Sequence, residues 1–182
     1  AVGRMMPGMT ARIVDPETWQ ELPMSETGMV LFRGANVFEG YLDDPEKTRG
    51  AFRDGWFVTG DLGRFDEEGF LFIEGRLSRF SKIGGEMVPH GTVENKIIEL
   101  FDLDQTAGHV VVVVGVPDAS KGEALVLLTT LDFTSDLIRE KLLAGGMPGL
   151  WVPKLIRRVE KIPVLGTGKL DLKACRELAL PR

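Results

Sequence analysis

The sequence predicts an α+β protein in two parts. A small, strongly bent antiparallel β subdomain covers residues 1–75. A small α+β domain, a sheet of about three strands with helices on it, covers residues 76–182. Two observations predict this division. The first 75 residues are rich in glycine and in short β-patterns punctuated by turn signals. After Gly75 the texture changes to helical and strand-like periodicities in alternation, which read as one mixed layer pair.

Each element follows from local chemistry. Residues 11–14 form a short apolar segment stopped by the turn pair Asp15-Pro16. Gly28-Met29-Val30-Leu31-Phe32-Arg33-Gly34 is a strand bracketed by glycines. Asp43-Asp44-Pro45-Glu46 starts a short helix, because proline is tolerated in a first helical turn. Residues 56–59 form an aromatic strand expected to end at Gly60-Asp61. Residues 64–65 and 70–73 pair as a hairpin whose turn closes at Gly69.

In the second part, residues 80–83 form a strand ending at Gly84-Gly85. Residues 92–101 form a helix with Val93, Ile97, Ile98 and Phe101 on one face. Residues 109–116 and 123–130 are β-branched strands joined through Pro117-Asp118 and Lys121-Gly122, with His109 opening the first as a structural residue. Thr134-Ser135-Asp136 starts a helix of about ten residues that stops at Gly145-Gly146. Residues 154–159 are a last strand, and Asp171 caps a final helix reaching Leu180.

Composition narrows the function classes. The net charge of −5 offers nothing to a phosphate backbone, which argues against nucleic acid as a partner. Cys175 is the only cysteine, so no disulfide can form within the chain. The longest apolar run, residues 110–114, is far shorter than the roughly 20 residues that a bilayer helix needs. The opening Ala1-Val2-Gly3-Arg4 carries no helix-start signal and reads as a chain entered in mid-domain.

Three stretches carry possible chemistry. Thr59-Gly60-Asp61 places a carboxylate beside glycine after an aromatic strand, where it can accept hydrogen bonds from a vicinal diol such as a ribose; equally, it can bond its own turn. Gly75-Arg76, followed by Lys82-Ile83-Gly84-Gly85, offers a guanidinium fork for phosphate or carboxylate and glycines that permit close approach of a ligand; a surface arginine in a linker would look the same. Gly166-Thr167-Gly168-Lys169 holds a lysine on a glycine-bounded loop, either as a point charge for an anionic centre or as a mobile surface amine. It is not a phosphate-binding P-loop, because the spacing is wrong and Leu170 stands where Ser or Thr would be.

Other groups drop out. His90 and His109 lie far apart with no ligand cluster, so no metal site is expected. Asp66, Glu67 and Glu68 read as a solvated turn, and Cys175 as a packing residue of the last helix.

Taken in order, these stretches resemble the acyl-adenylate-forming enzymes, which include acyl-CoA synthetases, luciferases and the adenylation domains of peptide synthetases. Gly28 to Gly34, Glu39-Gly40-Tyr41, Pro45-Glu46-Lys47-Thr48 and Phe52 resemble a late motif of the family's large domain. Residues 56–61 resemble its Tyr-Arg-Thr-Gly-Asp motif, residues 75–85 its Gly-Arg-x-Asp … Lys-Ile-x-Gly motif, and residues 163–169 its closing Pro-x-Thr-x-x-Gly-Lys motif. Residues 79–88, 119–127 and 165–169 look most like the bifunctional branch that joins fatty acids to acyl carrier protein and reacylates 2-acylglycerophosphoethanolamine.

The resemblance implies roles. Asp61 would hold the ribose hydroxyls of ATP. Arg76 would contact ribose or phosphate beside a hinge at Ser78. Gly84 and Gly85 would line the channel for a pantetheine arm, and Lys169 would bridge the carboxylate and the α-phosphate during adenylation. It also implies ATP and magnesium as cofactors, held mainly by an upstream domain that carries the phosphate loop and adenine site. Its implied partners are a fatty acid, an acyl carrier protein or coenzyme A, and a lysophospholipid. The parent would sit on the cytoplasmic side in association with the inner membrane, while this piece would be soluble and, alone, inactive. Ser78 replaces the usual Asp or Lys of the hinge, and Leu165 replaces the threonine of the closing motif. Two other readings share these residues: part of a fatty acyl-CoA synthetase, and a non-catalytic module that binds a carrier protein or a nucleotide.

Overall fold

The computed structural model describes residues 1–104, 106 and 108–180. The chain forms two compact units, Ala1–Leu77 and Ser78–Arg182.

The first unit is a six-stranded sheet in which every pairing is antiparallel. Its strands are β1 (Gly3–Arg4), β2 (Met9–Val14), β3 (Gly28–Gly34), β4 (Phe52–Arg53), β5 (Trp56–Phe65) and β6 (Phe70–Arg76). They run in the order β1-β6-β5-β3-β2, with β4 added to β5. One helix, α1 (Pro45–Ala51), precedes β4; the Asp44 carboxylate accepts from the Lys47 N–H at 2.9 Å and caps it. Ala11, Ile13, Val30, Phe65 and Leu71 form the core of this unit. The sheet bends through register shifts opposite Met29/Leu31 and at Leu62/Gly63. At the second, a side chain on Gly63 would start 2.5 Å from the Phe72 carbonyl oxygen, so only glycine fits.

One sequence expectation changes here. β5 does not end at Thr59 but runs on to Phe65. Gly60 (φ 70°) reads as a stop, yet in place it is part of a bulge that the strand absorbs.

The second unit contains β7 (Phe80–Ile83), β8 (Glu86–Pro89), α2 (His90–Phe101), β9 (Val111–Asp118), β10 (Gly122–Thr129), α3 (Ser135–Ala144), β11 (Leu155–Arg158) and α4 (Leu172–Ala179). The expected three strands are β9, β10 and β11, with β11 parallel to β10. The sheet has five strands, because the β7–β8 hairpin joins it through the single pair Gly122↔Ile83. β8 escapes sequence reading because four residues ending in proline carry no alternation. α2 starts two residues before the expected position 92, at His90.

The unbroken apolar runs of β9 and β10 have a simple cause: both faces of the sheet are covered. Val111, Val113, Leu125 and Leu127 pack with Val93 and Ile97 of α2 and with Ile138 and Leu142 of α3. The alternating residues Val112, Val114, Val126 and Leu128 pack with Cys175 and Ala179 of α4. Thr134 and Asp171 cap α3 and α4 as expected.

His109 is exposed and precedes β9, contrary to its expected place in a core strand. The buried histidine is His90, 1% exposed, whose Nε2 lies 2.9 Å from the Ser81 hydroxyl and whose Nδ1 has no partner among the described residues. Burial, then the positive charges of Arg79 and Arg176, push its pKa down to about 3 from 6.5. The folded unit therefore holds the neutral ring, and unfolding releases a group that binds a proton more readily. This contribution to stability is complete above pH 6.5 and is lost as the pH falls towards 3. At about 1.36 kcal/mol per tenfold change in acidity, the full window is worth about 5 kcal/mol. His90→Gln, which cannot titrate, is expected to flatten the urea-denaturation stability of this unit across that window. An unchanged slope would remove His90 as its cause.

Candidate functional site

The first site grows out of the irregularity in β5. Leu31 pairs with Val58 and Met29 with Leu62, so Thr59, Gly60 and Asp61 all lie opposite Val30. The Thr59 hydroxyl donates to the Val30 carbonyl at 2.7 Å and accepts from the Asp61 N–H at 3.0 Å, satisfying groups that the ladder leaves open. Bulges of this kind re-aim side chains, and here the carboxylate of Asp61 meets Arg76 on the neighbouring strand. Arg76 Nε lies 2.8 Å from Asp61 Oδ1, and its Nη1 donates to the Thr59 carbonyl at 3.1 Å. Asp61 is the more covered partner, with 25% of its side chain exposed against 66% for Arg76.

Both residues line a cavity of about 640 Å³. Phe32 and Phe57 contribute apolar wall, and Tyr41 and Lys47 come from the segment leading into α1 and from α1 itself. The Lys47 ammonium sits 4.1 Å from the centre of the Tyr41 ring. Phe38, Tyr41, Phe52 and Phe57 support one another at centroid distances of 5.1–5.8 Å. Tyr41 and Lys47 were legible as part of a motif, but nothing in the sequence placed them beside Asp61.

The remaining predicted residues belong to the second unit. Ser78 is exposed, in a single 3₁₀ turn over Leu77–Arg79 at the start of that unit. The next residue is firmly held: Arg79 pairs with Glu94 and donates to the Val113 carbonyl at 3.3 Å, while Glu94 accepts from the Val113 N–H at 2.6 Å. Arg79 and Glu94 thereby occupy both polar groups of Val113.

Gly84 and Gly85 are the two central residues of the β7–β8 turn, between the paired Ile83 and Glu86. Their φ values of 59° and 89° fit a two-residue hairpin turn that demands left-handed backbone at both positions. Space around them is open: a side chain on either would meet nothing within 4 Å. The turn is tied down by the Gly84 N–H donating to the Lys121 carbonyl at 3.0 Å, and the Trp151 indole N–H donating to Glu86 at 2.7 Å.

Lys169 lies at the base of its own small hairpin. Val164 bridges Leu170, the Leu165 N–H donates to the Lys169 carbonyl at 2.8 Å, and the Gly168 N–H closes a turn to the Leu165 carbonyl at 2.8 Å. The Asp171 N–H then donates to the Pro163 carbonyl at 3.0 Å, joining the loop to the cap of α4. Lys169 is exposed and makes no ion pair among the described residues. Of the predicted residues, Asp61 and Arg76 are brought into direct contact; the Gly84-Gly85 turn and Lys169 stand on separate connections of the second unit. Among the described residues, no group of three or more His, Cys, Asp or Glu is arranged to hold a metal. Among the described residues, no helix is long and apolar enough to cross a membrane.

Comparison with known proteins gives these features a setting. No family model matches the chain. A 2-succinylbenzoate–CoA ligase of Listeria monocytogenes is 34% identical over 158 residues, which is 86% of this chain and 33% of the relative. The crystal structure of ATP-bound MatB from Rhodopseudomonas palustris superposes with a TM-score of 0.70 at 36% identity, covering 97% of this chain and 35% of that one. A fatty acyl-CoA synthetase of Mycobacterium tuberculosis matches with a TM-score of 0.53 at 29% identity, covering 96% of this chain and 34% of that one. The relatives include CoA ligases, a fatty acyl-CoA synthetase and an ATP-bound protein, and the chain spans about a third of their length.

Proposed function

We propose that this chain is the C-terminal portion of an ATP-dependent ligase that activates a fatty acid as its acyl-adenylate and passes the acyl group to the thiol of an acyl carrier protein. In the parent, the acyl group would go on to reacylate a lysophospholipid, at the cytoplasmic side of the inner membrane. Residues 1–75 would complete the large domain, and residues 76–182 would form the mobile domain that swings about Ser78.

The observation that carries the reading is the state of Lys169: an exposed ammonium, without an ionic partner among the described residues, on a loop whose backbone is held by its own hydrogen bonds. When a carboxylate attacks the α-phosphorus of ATP, two anions approach and charge accumulates on their oxygens. A preorganised cation there stabilises that charge in the transition state. Asp61 supplies acceptors for a ribose diol, and Arg76 can reach phosphate or ribose while keeping Asp61 oriented. Magnesium falls to the ATP phosphates and to protein outside this chain. The Gly84-Gly85 turn offers an unobstructed surface where a pantetheine arm could pass, and one orientation of the mobile domain would present it in place of Lys169.

The second reading keeps the chemistry and changes the acceptor to coenzyme A. The relatives favour it, being CoA ligases and a fatty acyl-CoA synthetase. The acceptors are separated by supplying the full-length parent with ATP, a fatty acid and either holo acyl carrier protein or coenzyme A. Faster acyl transfer to the carrier protein is the expected result; faster transfer to coenzyme A replaces the acceptor. Failure to exchange pyrophosphate with any fatty acid overturns the ligase reading. The chain alone is expected to give no exchange.

A further inference from the structure

We propose that Lys47 is a phosphate-recognising residue of the nucleotide site, reading the nucleotide at the end opposite the diol held by Asp61. The inference rests on the reading of Asp61 and Arg76 as a nucleotide site and adds to it a residue from a different element.

The charges around the cavity carry the argument. Among the described residues, three charged side chains line it: Lys47, Asp61 and Arg76. Arg76 and Asp61 satisfy each other at 2.8 Å, and Arg76 is further engaged by the Thr59 carbonyl. Among the described residues, Lys47 makes no ion pair, although Asp44 and Glu46 lie within three positions of it in sequence. The Asp44 carboxylate is committed to capping α1 through the Lys47 backbone N–H. The cavity thus carries a surplus positive charge, and its complement is an anion.

Position supports the same ligand. The ring of Tyr41 supports the ammonium from one side at 4.1 Å. Tyr41 is in turn braced edge-on by Phe38 at 5.1 Å. A lysine steadied on an aromatic face loses less freedom on binding than one waving in solvent. A cavity whose lining includes a diol acceptor, a surplus ammonium and apolar rings suits a nucleoside monophosphate unit better than a bare anion.

The test uses this chain with uniform nitrogen-15 labelling, titrated with AMP, adenosine and inorganic phosphate in the millimolar range. AMP is expected to shift the amides of Gly50, Thr59 and Asp61 more strongly than adenosine or phosphate. Lys47→Ala is expected to weaken AMP about fivefold, the scale of an exposed ion pair, and to bring it level with adenosine. Lys47→Arg is expected to restore the difference. If Asp61→Asn abolishes the shifts while Lys47→Ala leaves AMP unchanged, the nucleotide site stands and the role of Lys47 falls. If phosphate alone reproduces the AMP shifts, the cation is a bare anion site and the nucleotide inference is overturned. If no ligand shifts these amides, the KM for ATP of the full-length parent decides: a rise of about fivefold for Lys47→Ala supports the role, and an unchanged KM overturns it.

Discussion

Replacing Lys169 with alanine in the full-length parent is expected to slow adenylation by about two to three orders of magnitude, the usual loss when one preorganised charge-stabilising group is removed. Transfer of the acyl group from a preformed acyl-adenylate is expected to survive nearly unchanged. The asymmetry follows from where the charge develops. The first step brings a carboxylate against a phosphate; the second displaces AMP from an intermediate already made, with the mobile domain turned to present a different surface. Pyrophosphate exchange reads the first step, and thioester formation from supplied acyl-adenylate reads the second. An equal fall in both would mean that Lys169 supports the domain as a whole and not the first reaction. Lys169→Arg is expected to recover only part of the first step, because a planar fork does not deliver charge as a compact ammonium does.

The second large effect is on stability. Glu94→Ala is expected to destabilise the second unit by about 3–5 kcal/mol, the cost of breaking a largely buried ion pair by removing one partner. Only 12% of the Glu94 side chain and 20% of the Arg79 side chain are exposed. The truncation does two things at once: it strands the Arg79 guanidinium and leaves the Val113 N–H without its acceptor at 2.6 Å. Glu94→Gln keeps an acceptor for that N–H, and its smaller loss separates the hydrogen bond from the charge. Denaturant midpoints of the two variants decide the matter. A loss below about 1 kcal/mol for Glu94→Ala, the level of a solvent-exposed pair, would show that the surroundings relax around the gap.

Much of the fold was legible because its signals are local. Helix starts at Pro45, Ser135 and Leu172 are announced by capping side chains at Asp44, Thr134 and Asp171. The Gly69 turn and the valine run of β9 are equally plain. What failed depends on tertiary context. Gly60 reads as a stop in sequence, and becomes part of a bulge only because Thr59 finds the Val30 carbonyl on a strand nearly thirty residues earlier. His109 misses its expected place because β9 begins at Val111 and leaves it outside, while α2 begins at His90, which is buried although nothing in the sequence marked it as a core residue. The site was legible as a set of motifs. That Asp61 and Arg76 touch is a matter of cross-strand register, and that Lys47 lines the same cavity is a matter of how α1 sits beside β5.

The sealed sulfur of Cys175 has a practical consequence. It is wholly shielded on the inner face of α4, its thiol pushed towards the protonated form by burial, and the chain has no other cysteine. A thiol-specific reagent therefore finds nothing to modify until the last helix lifts or its whole unit opens. The labelling rate under native conditions becomes a stopwatch for that opening, and it can time variants of Glu94 or His90 without any denaturant.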